Sequence, residues 1–442
     1  MSVRTRVPAA LAIAVAACLG AQTAAALPAT ATDTVVSRGV TIPAFYTPPT
    51  ALPAADGTLV RSERLPLALS LPGLDGPLPG RATRLMYKST DSAGQPVAVT
   101  GAYLEPAAAW KRGGPRPLVA VAPGTMGQGD QCAASLGLEH PLTLNGRTVS
   151  VGYEDLAIYR LLAEGVAVVV TDYAGLGATD RLHTYVNRLD GAHAVLDAVR
   201  AARNLAGASV TEVSPVGLYG YSQGGGATAA AAELQPSYAP DVTLAGTYSG
   251  APPADLAKVT EAIDGSDLAG ALGWAVNGFL ESDPALRPIA DRHLNAAGKA
   301  ALADLSTMCV GDAILSYNSA LSTAWTTDGS SLADVVAAEP ALRDFLDRQR
   351  IGTGRPAGPV RVATGINDDL VPHAQARRLA VDWCRKGTDV TYVPVVAPQL
   401  GRALLNHFAP LLADQGDAVD WLTDRLAGRA AGSTCRLLPL QP

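Results

Sequence analysis

Through the middle of the chain, short runs that are apolar at nearly every position alternate with longer segments whose apolar residues recur every three or four places. The runs are "PLVAVAPG", "VAVVVTDY", "VGLYGYS" and "DVTLAGTYSG". A strand that is apolar on both faces has both faces covered, whereas a helix with one apolar stripe covers one side of something else. Such helices are "YEDLAIYRLLAEG", ended by Gly165, and "DGAHAVLDAVRAARNLAG", with Ala194, Val195, Ala198, Val199 and Ala202 on one face. This alternation predicts an α/β fold, a mostly parallel sheet with helices on both faces. Ahead of it, "TRLMYKST" and "PVAVTGAYL" flank Asp91–Gln95 and predict an antiparallel hairpin.

From Ala251 to about Gly358 the alternation stops. "LAGALGWAVNGFL", "ALRPIADRHLNAAGKAALADL" and "ADVVAAEPALRDFLDRQR" are helical in pattern, with no good strand between them. The sheet pattern resumes with "PVRVATGINDD" and "DVTYVPVV" and closes with the helix "GDAVDWLTDRLAG". The expected organisation is therefore an export signal over 1–26, a Pro- and Thr-rich arm over 27–80, and core segments at 81–250 and 359–442. A helical cap over 251–358 is inserted between them, before the strand that carries the acid.

Composition narrows the partners. With 48% hydrophobic and 17% charged residues, the 442-residue chain can bury a large core. A formal charge of -6 and the absence of basic runs leave nothing to neutralise phosphates, which excludes nucleic acid. Arg4 and Arg6 precede "VPAALAIAVAACLG", with Ala24–Ala26 as a cleavage site, and this apolar run is too short to span a membrane. "VAAC", ending at Cys18, weakly matches a lipoprotein processing box, so a lipid-anchored form is the alternative to soluble secretion. Removing the signal leaves Cys132, Cys309, Cys384 and Cys435, an even number that fits two disulfides in an exported protein. No C-x-x-C or H-E-x-x-H spacing points to a metal, and nothing calls for an organic cofactor.

The candidate chemistry lies in "VGLYGYSQGGGATAAAAEL". G-x-S-x-G is a weak signal alone, but here Ser222 stands where a buried strand passes into a helix. A serine on so sharp a turn has strained dihedrals, and neighbours two positions away must lack bulk; Gly220 and Gly224 meet that need, and Gly225 and Gly226 keep the next turn small. The competing reading is a glycine-rich turn with an N-capping serine.

A serine nucleophile needs a base, oriented by a carboxylate, in the chain order Ser, acid, His. His293 falls within the helical insertion and His373 is too close to the acid loop, which leaves His407 in "LLNHFAP". It lies after the last strand and before the last helix, where a mobile loop could carry it over the sheet. In "GINDDLVP" Asp368 is the acid, with Asp369 in reserve. The oxyanion donors are the amides of Gln223 and, from "APGTMGQGDQC", Thr125, with Gly124 next. Trp274, Phe279 and Leu280 are either an acyl pocket or simply the core of the cap.

These segments together resemble the secretory lipase family of fungi and actinobacteria, the lipase A type of α/β-hydrolase. The resemblance rests on "PGTMGQGDQCA", "VVVTDYAGLGATDRLHTYVN", "VLDAVRAAR", "GYSQGG", "GINDDLVP", "WCRKG" and "WLTDRLAG" before "STC", in that order from about Arg81 to Cys435. It implies Ser222 as nucleophile, Asp368 as acid, His407 as base and disulfides Cys132–Cys309 and Cys384–Cys435. It also implies hydrolysis of carboxylic esters, of acylglycerol type, by a secreted monomer that meets a lipid interface transiently. Peptide hydrolysis or acyl transfer by the same three residues is one alternative, and a non-catalytic binding protein of the same fold is another.

Overall fold

The computed structural model describes residues 35–71, 78–145, 148–401 and 403–442. The export signal over 1–26, Cys18 and the first part of the arm lie outside these residues.

The apolar runs form the strands their pattern predicts. One nine-stranded sheet contains β1 (Leu59–Leu65), β2 (Gly80–Thr90), β3 (Pro96–Pro106), β4 (Leu118–Ala122), β5 (Ala167–Ala174), β6 (Val216–Tyr221), β7 (Leu244–Gly250), β8 (Val360–Gly365) and β9 (Val390–Val395). Their order across the sheet is β9-β8-β7-β6-β4-β5-β3-β2-β1. Neighbours from β9 to β5 run parallel, and the pairs β5–β3, β3–β2 and β2–β1 are antiparallel. Every residue of β4, β5 and β6 is buried, as a strand covered on both faces requires. Strand β1 lies inside the segment expected to be an irregular arm. Its "LVRSERL" pattern has too few apolar positions to announce a strand, and pairing with β2 supplies what its side chains do not.

Helices α1 (Asp155–Ala163), α2 (Arg188–Arg203) and α3 (Gln223–Tyr238) connect these strands. The alanine faces of α2 and α3 pack on one side of the sheet, where Ala194, Val195, Ala230 and Ala231 are fully buried. Between β7 and β8 every regular element among the described residues is helical: α4 (Leu256–Ile263), α5 (Gly270–Ser282), α6 (Arg287–His293), α7 (Ala296–Leu305), α8 (Val310–Tyr317), α9 (Leu332–Ala338) and α10 (Pro340–Gln349). Two single helices in the sequence pattern are therefore pairs. Asn295 restarts the chain as an N-cap, accepting from the Gly298 amide at 2.9 Å, and Glu339 leaves the helical region before Pro340. The helical segment has its own apolar cluster around Trp274, Leu302 and Leu305. Trp274 belongs to that core: it is fully buried, and its Nε1 donates to the Leu305 carbonyl at 2.9 Å.

Helices α11 (His373–Arg385) and α12 (Ala403–Leu426) complete the two layers. Trp383 of α11 joins the cluster of α2 and α3, while Leu422 of α12 packs with Leu161 and Leu162 of α1 on the opposite face. Two disulfides close the chain, Cys132–Cys309 and Cys384–Cys435, in the pairing that the resemblance implied.

Candidate active site

Strand β6 ends at Tyr221 and α3 begins at Gln223, so the whole turn rests on Ser222. Its backbone has φ 57° and ψ -122°, a left-handed conformation that costs a residue with a side chain about 1–3 kcal/mol. The surroundings enforce it. The Ser222 amide donates to the Gly250 carbonyl of β7 at 2.9 Å, and the Gly226 amide donates back to the Ser222 carbonyl at 3.0 Å. A Cβ at Gly224 would overlap the Ala122 carbonyl oxygen, and one at Gly220 would overlap the Gly224 carbonyl. The glycines thus let β4, β6 and α3 close around the serine. The Ser222 hydroxyl makes no capping bond to α3, which removes the N-cap reading.

Asp368 and His407, the expected acid and base, lie on separate elements. Asp368, in the turn after β8, accepts from the Leu370 and Val371 amides at 3.2 and 3.0 Å through Oδ1. Its Oδ2 accepts from His407 Nδ1 at 2.7 Å. Both side chains are buried. Asp369 is exposed and faces away, accepting from Asn406 Nδ2 at 3.1 Å. Its side chain is not the one on the histidine.

One expectation is corrected here. His407 sits within α12, not in a mobile loop ahead of the last helix. Pro410 suggests a helix start, yet it stands inside α12, its ring facing the end of β8 where Gly365 has no side chain. The helix therefore begins at Ala403 and presents His407 on a rigid element. Its carbonyl accepts from Tyr221 Oη at 2.7 Å, and its ring lies against Tyr221 and Phe408. His373 hydrogen-bonds Tyr392, and His293 bonds Glu339; neither reaches Asp368.

The loop after β4 is clamped residue by residue. Tyr173 Oη donates to the Pro123 carbonyl at 2.6 Å. Tyr153 Oη donates to the Thr125 carbonyl at 3.0 Å, and Thr125 Oγ1 lies 2.7 Å from Tyr185 Oη. The Gly124 amide donates to Glu154 Oε1 at 2.7 Å, so Gly124 has no amide left for an oxyanion. The amides of Thr125 and Gln223 donate to no acceptor among the described residues. Beyond the loop, the Gln128 amide donates to Met308 and the Val310 amide to Met126, so the loop is bound to the helical segment by backbone as well as by Cys132–Cys309.

Two buried titratable groups frame the turn, and sequence reasoning passed over both. His183 Nδ1 donates to the Ala174 carbonyl, leaving Nε2 to accept from the Gln223 side chain at 3.0 Å. Burial pushes this imidazole down to about 4. Burial pushes the Glu154 carboxyl up to about 7, against the Gly124 bond that favours its charged form. Chain order had confined the search for a histidine to positions after Ser222, and nothing in "YEDLAIY" marks Glu154 as more than a helix-start acid.

Thr125, Ser222, Gln223 and His407 line one cleft with Leu256, Leu272 and Phe279 from the helical segment. A second pocket, lined almost wholly by apolar side chains, lies within that segment; Thr260, Leu272, Ala275 and Phe279 border both. Phe279 is thus at the cleft, Leu280 lines only the inner cavity, and Trp274 lines neither.

Residues 138–434, more than half of the chain, match the family described as secretory lipase. The chain belongs to the secretory lipase family. Within its wider circle, a Mycobacterium tuberculosis protein named a probable inactive lipase is 30% identical over 87% of this chain and 82% of its own length. Lipase A of Arthroderma benhamiae is 27% identical over 89% and 81%. Among solved structures, Candida antarctica lipase A in its closed state aligns with a TM-score of 0.74 at 20% identity, covering 89% of this chain and 87% of that one. The rice-cell-wall-degrading esterase of Xanthomonas oryzae aligns at 0.68 and 21%, covering 85% and 100%. At such identities the structural likeness establishes the α/β-hydrolase fold. Membership in the secretory lipase family rests on the sequence match.

Proposed function

We propose that this protein is a secreted serine hydrolase of carboxylic esters. The observation that carries the reading is the 2.7 Å bond from His407 to Asp368 in the cleft that also holds the strained Ser222. Asp368 fixes the imidazole with its proton on Nδ1, leaving Nε2 to take the proton of the serine hydroxyl as Ser222 attacks the ester carbonyl. The oxyanion is held by the Gln223 and Thr125 amides, with the positive end of α3 behind Gln223. His407 then protonates the leaving alcohol, and water releases the acyl group from Ser222 by the reverse sequence.

The helices between β7 and β8 act as a cap over the cleft, and the inner apolar cavity takes the acyl chain past Phe279. The substrates are acylglycerol-type esters met at a lipid surface. The first 26 residues direct export, and no helix among the described residues is long and apolar enough to cross a membrane.

A relative named as inactive means that family membership alone does not carry activity, so a non-catalytic binding protein is the second reading. Hydrolysis of p-nitrophenyl esters from acetate to palmitate, beside Ser222→Ala, separates the two. Activity lost in the variant supports the enzyme. A folded protein with no activity on any ester supports the binding protein.

A further inference from the structure

Glu154 is the N-cap residue of α1, yet its side chain makes no capping bond to that helix. It turns instead to the loop after β4 and takes the Gly124 N–H at 2.7 Å. Its neighbour Tyr153 takes hold one residue further on, donating to the Thr125 carbonyl at 3.0 Å. Two consecutive residues thus grip the peptide groups on either side of the one that joins Gly124 to Thr125. The Gly124 amide belongs to the peptide it shares with Pro123 and the Thr125 carbonyl to the peptide it shares with Met126. The Gly124–Thr125 peptide, which carries the Thr125 N–H, is therefore bracketed by two held planes that restrict its direction.

A carboxylate kept buried for this purpose is costly, and its helix could use it elsewhere. The groups that bear on it are Asp155 on its own helix, Tyr153 beside it, and Tyr173 and Tyr219 from β5 and β6. Tyr153 and Tyr173 have acceptors of their own in the Thr125 and Pro123 carbonyls.

We propose that Glu154 is a positioning residue of the oxyanion hole: it removes the Gly124 amide from the cleft and aims the Thr125 amide into it. This rests on the reading of the protein as an ester hydrolase. The hold depends on an acceptor oxygen and not on charge. A carboxyl that burial pushes up to about 7 still accepts through its carbonyl oxygen when protonated.

Two neutral substitutions of similar size separate acceptor from bulk: Glu154→Gln keeps an oxygen for the Gly124 amide, and Glu154→Leu does not. Both are compared with wild type in the full chain for kcat and KM on p-nitrophenyl butyrate. Glu154→Gln is expected within about threefold of wild type, and Glu154→Leu about 10- to 100-fold lower in kcat with KM nearly unchanged. Wild-type kcat in Glu154→Leu, a change confined to KM, or equal impairment of both variants would overturn the proposal. So would a Glu154→Leu chain that cannot fold beside a folded, active Glu154→Gln, since Glu154 would then serve only to hold the fold. An inactive wild type would instead remove the hydrolase reading on which the proposal stands.

Discussion

The Gln223 side chain donates to Nε2 of His183 across 3.0 Å, which requires that nitrogen to be unprotonated. The other nitrogen donates to the Ala174 carbonyl at 2.9 Å, so the buried ring is held as one neutral tautomer. The residue after Ser222 is thereby tied to the chain that follows β5.

This tie has a pH dependence with a definite sign. The folded-state imidazole is depressed from 6.5 to about 4, so between those values the unfolded chain binds a proton that the folded one refuses. The contribution, on the order of 3 kcal/mol, is present above the upper value and lost as pH falls through the lower one. Glu154, Asp155 and Asp130, all raised to about 7 by burial, act oppositely and lose stability as pH rises toward that value. A difference measurement isolates His183. The Tm deficit of His183→Gln relative to wild type is expected to shrink as pH is lowered from about 7 to about 4.

Asp368 and Asp369 are adjacent but should be unequal in activity assays. Asp368→Asn leaves the histidine without its orienting carboxylate and is expected to lower kcat by about four orders of magnitude. Asp369→Asn alters only a part-buried bond to Asn406, away from the imidazole, and kcat should stay within a few-fold. Steady-state kinetics on one soluble ester tests both.

The two glycines flanking the turn differ from Gly226, deeper in α3. Gly224→Ala would drive a Cβ into the Ala122 carbonyl, where neither backbone can yield, and is expected to abolish activity or folding. At Gly226 the nearest atoms are Pro253 carbons at 3.1 Å, and the helix gains from alanine. Denaturant melts of Gly226→Ala should lie within about 1 kcal/mol of wild type.

If the inner cavity takes the acyl chain, its shared wall controls chain length. Ala275→Leu adds bulk where the two cavities meet, and should lower kcat/KM for decanoate far more than for acetate. Equal losses on both esters would place the chain elsewhere.

What could be foreseen follows the range of the forces involved. The sharp turn at Ser222 was legible because the requirement for glycine at 220 and 224 is local to that turn. The parallel sheet was legible because strands buried on both faces carry their apolar pattern in the chain itself. Register favours Asp368 over Asp369, but only the turn after β8 decides which carboxylate faces the imidazole. The pattern predicts the closing helix from Gly416, and it starts instead at Ala403; that it runs through Pro410 depends on what the proline packs against, which no local pattern carries. The roles of Glu154 and His183 arise from tertiary hydrogen bonds to Gly124 and Gln223, and no spacing announces those.

The central claim is that Ser222 is a nucleophile activated by the His407–Asp368 pair. The most direct measurement is mass spectrometry of the full chain after brief exposure to a fluorophosphonate, beside Ser222→Ala and His407→Ala. The account predicts a single adduct on Ser222, absent from the first variant and formed orders of magnitude more slowly in the second. A folded wild type that takes up no label, labels another residue, or reacts as fast without His407 would contradict it.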